Sequence, residues 1–196
     1  MIAHANNTRQ ATHLPLQGFA HPPSHVQEIG VKPGMHVADF GSGSGAHALA
    51  LAEATDAHGR VYAIDVQRDL LVRLKNEAKR RGIDHVDILW GDLEMPGGSK
   101  LAAAHVDLVL LSNILFQLSD KVAALKEARR ILKNKGTTAV IERTGESGLH
   151  ASNIVSKREV LEFARRADLE PIREFDAGSH HFGIVFRPLV SISEWV

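Results

Sequence analysis

The run Val37–Ala52, VADFGSGSGAHALALA, constrains this chain more than any other segment. Residues suited to a strand pass into glycines at alternate positions, and these open into an alanine-rich segment of good helix formers. Gly41, Gly43 and Gly45 let the backbone turn sharply and approach a ligand closely, the construction of a nucleotide-binding strand, loop and helix. Gly41, Gly43 and Ala46 also satisfy the G-x-G-x-x-A spacing of a dinucleotide loop, so this segment alone leaves the kind of nucleotide open.

The rest of the chain repeats the alternation. Apolar runs MHVADF, RVYAID, HVDILW, VDLVLLS and TTAVIER are separated by helical patterns near 45–56, 67–81 and 119–134, with a shorter one expected near 95–104. A further helix near 157–168 opens on Ser156 and Glu159 at capping-box spacing. Strands that alternate with helices give a mainly parallel sheet covered on both faces. EPIREFD and HHFGIVF are joined only by AGSH, too short for a crossover, so they form an antiparallel hairpin at the sheet's end. Residues 1–20 are polar and unpatterned and are expected to be mobile, 21–188 to form one domain, and 189–196 a tail. FAHPPSHVQEIGVKPG reads as a short helix opened by prolines that lies across the mouth of the glycine loop.

Composition excludes several function classes. The chain has no cysteine, which removes thiolate nucleophiles, disulfide frameworks and cysteine metal sites. Lys+Arg and Asp+Glu both number 23, so no net field steers the molecule to nucleic acid. The basic runs at Lys79–Arg81, Arg129–Arg130 and Arg165–Arg166 fall at predicted helix ends, where cations complement the helix dipole. No apolar run approaches the ~20 residues of a membrane span, and the N-terminus lacks the apolar stretch of a secretory signal, which favours the cytoplasm.

The strand ends carry the chemistry. Asp39 precedes Gly41 by two residues, and an acid there suits a ligand with a cationic amino group, which S-adenosylmethionine has and NAD lacks. Asp65, ending the second strand, suits ribose hydroxyls in either ligand. Just beyond the third strand, Asp92 can accept from an adenine amino group while Leu93 offers its N–H to a ring nitrogen. Ser112, Asn113 and Phe116 follow the fourth strand, where a transferable methyl group would be presented.

In order along the chain, VADFGSGSG, VYAIDV, GDLE, VDLVLLSN and EARRILKNKG resemble the motifs of class I S-adenosylmethionine-dependent methyltransferases, from about Pro22 to Phe186. The resemblance implies an α/β fold with a doubly wound, Rossmann-like, seven-stranded sheet and an antiparallel C-terminal hairpin. It implies S-adenosyl-L-methionine as cofactor, with Asp39, Gly41, Ser42, Gly43, Gly45, Asp65, Val66, Gly91, Asp92, Leu93, Ser112 and Asn113 as candidate binding residues. Within that family the chain is most similar to the small-molecule branch that includes quinone-biosynthesis and arsenite methyltransferases. It lacks the cysteines of the arsenite enzymes and is shorter than the quinone enzymes, so the acceptor does not carry over. The first motifs are also similar to protein-isoaspartate and transfer-RNA adenine methyltransferases, but SNIL stands where an NPPY-type sequence would mark exocyclic amino groups.

Acceptor-facing candidates are Asn113, Glu142, Arg143 and the GSHH turn, with His180 or His181 as the candidate general base. A metal site is not expected, because adjacent histidines in a strand point to opposite faces. The favoured reading is methyl transfer to a small molecule enclosed by the FAHPP segment, the SNILF loop and the hairpin, with Phe19 and Phe116 as apolar walls. Alternatives are an RNA or protein methyltransferase, a non-catalytic module that binds the cofactor, and thirdly a nicotinamide dehydrogenase. The sequence does not indicate an oligomeric state.

Overall fold

The computed structural model describes residues 21–145 and 154–189. Its elements are α1 (Pro22–Glu28), β1 (His36–Phe40), α2 (Ala46–Thr55), β2 (Arg60–Asp65), α3 (Arg68–Arg80), β3 (Val86–Trp90), β4 (Val106–Ser112), α4 (Lys121–Ile131), β5 (Leu132–Arg143), α5 (Lys157–Arg166), β6 (Leu169–Asp176) and β7 (His181–Pro188). A single 3-10 turn, Leu115–Gln117, follows β4. The segment 1–20, Phe19 included, and the tail after Leu189 lie outside the described residues.

The sheet runs β3-β2-β1-β4-β5-β7-β6. β1 to β5 are parallel, and β7 enters antiparallel between β5 and β6. Burial on both faces explains the continuous apolar strands, and period-two alternation deals their side chains to two cores. Ala38, Phe40, Ile64, Val109 and Leu111 pack under α4 and α5. Val37, Val61, Ala63, Leu108 and Leu110 pack under α1, α2 and α3. The same alternation places Asp39 and Asp65 on the α1–α3 face. The helices meet the cores along apolar stripes, such as Leu71, Leu74 and Ala78 of α3, whose fully buried Leu74 would cost about 2–5 kcal/mol on truncation to alanine.

Local signals hold at the helix ends. The capping box of Ser156 and Glu159 is present, and the basic pairs occupy the last turns of α3, α4 and α5. Two expectations are corrected. No helix forms over 95–104: Pro96 and Gly97 set a turn, Lys100 and Ala104 take positive φ (64° and 53°), and the backbone amides of Gly97 and Ser99 donate to Glu127 instead of to a helical ladder. α4 stops at Ile131 rather than 134, because Leu132 already pairs with Val106 of β4; sheet pairing overrides helix propensity there.

Candidate cofactor and acceptor site

The carboxyl ends of β1, β2, β3 and β4 open on one side of the sheet, where ligands of doubly wound folds bind. After β1 the chain folds back on β2: the amides of Gly41 and Ser42 donate to the Ile64 carbonyl at 2.8 and 3.1 Å, and α2 starts at Ala46. Two glycines are required here. Gly41 has φ +72°, and a Cβ on it would stand 2.0 Å from Ile114 Cδ1; Gly45 has φ +95°, and a Cβ would stand 2.2 Å from Leu74 Cδ1. Asp65 braces the loop between them. Its Oδ2 accepts from Gly43 N–H (2.9 Å) and its Oδ1 from Gln67 N–H (2.8 Å), leaving the remaining lone pairs free to accept from a ligand.

Asp39 lies deeper, 2% exposed, and its Oδ2 has no partner. Burial and then the neighbouring Asp65 charge push its carboxyl up to about 7, against a lowering hydrogen bond from the Ala48 backbone. The hydroxyl of Ser42 is likewise buried without a partner. A buried acid with an unsatisfied oxygen behind a glycine loop fits a ligand that brings a cationic group.

Beyond the loop lies a cleft of about 300 Å³. Of the candidates from sequence, Gly41, Gly43, Asp65, Val66, Gly91, Asp92 and Leu93 line it; Asp39, Ser42, Gly45, Ser112 and Asn113 stand outside that lining. Asp92 is fixed by an Asx turn in which its Oδ1 accepts from Glu94 N–H (3.0 Å). Trp90 is 53% exposed, its indole N–H donating to the Val66 carbonyl (3.0 Å) and its ring lying 4.1 Å beneath the Arg68 guanidinium. Sequence reasoning missed Gln67, Leu70, Glu94, Ile114, Gln117 and Leu118, which also line the cleft. For Gln67 and Leu70 the signal was their place at the start of α3, next to Asp65.

At the β4–β5–β7 end, Asn113 adopts φ +54°, a conformation asparagine tolerates, and redirects the chain so that Ile114, Gln117 and Leu118, rather than Phe116, face the cleft. Phe116 packs at the core's edge with Arg143 Cζ 6.0 Å from its ring centroid. Glu142 is buried and serves as a brace: its Oε1 accepts from Ile114 N–H (3.0 Å) and Leu115 N–H (2.7 Å).

The two candidate histidines separate. His180 is exposed in the turn, whereas His181 is half-buried, with its Nε2 unpartnered. Burial, then Arg143, His25 and His180, hold His181 below the usual imidazole range. Near it, His25 Nε2–H donates to the Ala177 carbonyl (2.9 Å), so the neutral His25 Nδ1 must accept from His47 Nε2–H (3.0 Å). This pair joins α1 to α2 and to the turn before β7, and α1 packs on α2 instead of lining the cleft. Among the described residues no group of three or more His, Asp or Glu side chains is arranged to hold a metal ion, and no helix is long and apolar enough to cross a membrane.

Comparison with known proteins agrees with this arrangement. A S-adenosylmethionine-dependent methyltransferase from Aquifex aeolicus superposes with TM-score 0.77 at 26% identity, over 84% of this chain and 88% of that one. The same fold recurs in a putative sarcosine dimethylglycine methyltransferase from Galdieria sulphuraria (TM-score 0.67, 15% identity, 85% of this chain and 83% of that one). It recurs again in an arsenic(III) S-adenosylmethionine methyltransferase from Chlamydomonas reinhardtii (TM-score 0.66, 18% identity, 83% and 65%). Residues 31–167 match the family described as "Methyltransferase domain", so the chain belongs to the S-adenosylmethionine-dependent methyltransferases of class I and is an enzyme that uses S-adenosylmethionine.

Proposed function

We propose that the cofactor occupies the cleft between the glycine loop and residues 91–94, and that the methyl acceptor is a small molecule held beyond the ends of β4, β5 and β7. The observation that carries the cofactor assignment is the pairing of Asp39 and Asp65 on one sheet face behind a loop in which Gly41 and Gly45 leave no room for a Cβ. Asp65 receives the ribose hydroxyls, Asp92 and the Leu93 N–H meet the adenine edge, and Gly41 and Gly43 give backbone access. Asp39 supplies the charge that an ammonium group seeks. When bound, the cofactor brings a methyl group on a positively charged sulfur, and the protein's task is positioning. Ser42 and Gly45 shape the loop, Val66 offers an exposed apolar surface, and Ser112 and Asn113 set the chain direction after β4.

A small acceptor is supported by where the charge lies. The arginines of the basic runs sit at the carboxyl ends of helices, on the side away from the cleft, and Arg80, Arg81 and Arg130 are engaged by Glu77, Glu53 and Glu127. No basic track is left across the site from these runs. Labelled S-adenosylmethionine offered to fractionated metabolites and to RNA tests this reading, with label expected in the low-molecular-weight fraction. Label in RNA, with affinity falling steeply between ~50 and ~200 mM salt, would overturn it.

A further inference from the structure

The cleft wall formed by Gly91–Glu94 belongs to no strand or helix: between Trp90 and Val106 the chain has no regular element to hold it. Its shape is set from behind, by α4. Glu127, 4% exposed, accepts at Oε2 from Gly97 N–H (3.1 Å) and at Oε1 from both Ser99 N–H (3.0 Å) and the Ser99 hydroxyl (2.5 Å). Arg130, one turn on, closes the carboxylate's remaining side with Nε at 2.8 Å and Nη2 at 2.7 Å, and reaches the Leu101 carbonyl at 2.8 Å. Between the two anchored amides lies Gly98, pressed on the back of the wall: a Cβ there would stand 1.6 Å from the Asp92 carbonyl oxygen. At the other end of α4, the Asp120 backbone N–H donates to Glu94 Oε1. One helix therefore grips the wall from two points, and neither Glu127 nor Arg130 lines the cleft.

We infer that Glu127, locked by Arg130, is a positioning residue for the cofactor, holding Asp92, Leu93 and Glu94 at the distance the ligand requires through the Gly97–Ser99 segment. The inference rests on the assignment of the cleft to the cofactor. A loop without a ladder keeps a binding geometry only if side chains behind it fix its backbone. Glu127 does this with charge-assisted bonds, which are short and directional. Replacing the carboxylate by an amide keeps its volume but turns an NH₂ group toward N–H donors, so the loop must shift.

The test is calorimetric binding of S-adenosylhomocysteine to the full chain, with amide hydrogen exchange over 91–101. Glu127→Gln is expected to weaken binding about tenfold and to speed exchange in that loop at temperatures where the variant is folded. Ile29→Ala, a truncation in the core on the opposite sheet face, which contains none of residues 91–101, lowers stability and is expected to leave affinity within about twofold. Should Glu127→Gln not fold, Ser99→Ala removes only the hydroxyl donor and is expected to weaken binding about threefold. Lower melting temperature with unchanged affinity in Glu127→Gln, or in Ser99→Ala where that is the variant measured, would reduce Glu127 to a stability role and overturn the inference. Failure of the native chain itself to bind would remove the cleft assignment, and the inference with it.

Discussion

Glu127 and Glu142 are both buried carboxylates that accept backbone N–H groups from a loop beside the cleft, yet their charge states diverge. Burial raises both. At Glu127 it is overcome by Arg130 and Ser99, which hold the carboxyl at about 2; at Glu142 the Leu115 and Ile114 amides do not overcome it, and the carboxyl rises to about 7. A guanidinium in bidentate contact separates the two. The wall at residues 91–99 is thus braced by a permanent charge, and the loop after β4 by a group that titrates near neutrality.

The largest effect should come from breaking the saturated brace. Arg130→Met leaves Glu127 buried without its countercharge, and urea denaturation at pH 7 should show a loss of about 3 kcal/mol or more. Arg143→Met, which removes the cation whose charge acts on Glu142, should cost under about 1 kcal/mol, because no bidentate contact is lost. Equal losses would mean that the guanidinium is not what separates the two sites.

Next in size is the pH dependence. Glu142 has a folded value of about 7 against 4.5 in the unfolded chain, so between these values the folded state binds more protons and stability falls as pH rises. The full span corresponds to about 3 kcal/mol, and Glu142→Gln should remove that share of the decline, leaving the share that Asp39, at about 7 against 3.8, adds in the same direction. His47 acts in the opposite direction. Burial, with His25 and His181, holds it at about 4 against 6.5, so the unfolded chain binds more protons and stability is lost as pH falls from 6.5 to 4. His47→Gln should therefore steepen the net decline with rising pH in that window, while Glu142→Gln should flatten it. Glu127 titrates outside it: its contribution is present above 4.5 and fades only as pH falls toward 2.

A comparable contrast exists between Asp65, with both oxygens engaged by loop amides, and Asp39, with one oxygen unpartnered. Asp65→Ala should weaken S-adenosylhomocysteine binding by about 1.5–3 kcal/mol, the range for losing hydrogen bonds to a charged group, with the fold retained. Normal binding by this variant would remove the ribose role. NAD should not bind the native chain at micromolar concentrations.

These acids were legible in the sequence because period-two strands ending in Asp before a glycine loop leave few arrangements open. The mainly parallel sheet and the final hairpin followed from element alternation and from the four-residue link AGSH. The braces were not legible. Arg129 and Arg130 read as cations at a helix end and Glu127 carried no signal, since nothing local says that this face turns toward residues 97–99. GGSKLAAA has helix-forming letters, and only the contacts of Gly98 and the donors to Glu127 show why it remains a loop. Ile114 escaped notice because its role is to fill the space that Gly41 leaves, a contact across 73 positions of sequence. His25 and His47 meet only once α1 packs on α2.

The smallest predicted effect concerns Asp39 and is the most specific to the proposed cofactor orientation. With its carboxyl at about 7, raised by burial and by Asp65, roughly half the molecules carry the proton at pH 7. A cationic amino group brought next to it favours the ionised form, so binding should expel up to about half a proton per site at that pH. Calorimetry of S-adenosylhomocysteine binding in two buffers of different ionisation enthalpy measures this number directly. The release should vanish by about pH 9, where Asp39 is already ionised. Protons contributed by the ligand's own amino group are common to all variants, so the difference between the native chain and Asp39→Asn isolates this residue. Asp39→Asn should lose the release and bind about 1 kcal/mol more weakly. Identical proton release in the variant would show that the ammonium does not approach Asp39 and would place the amino-acid end of the cofactor elsewhere along the glycine loop.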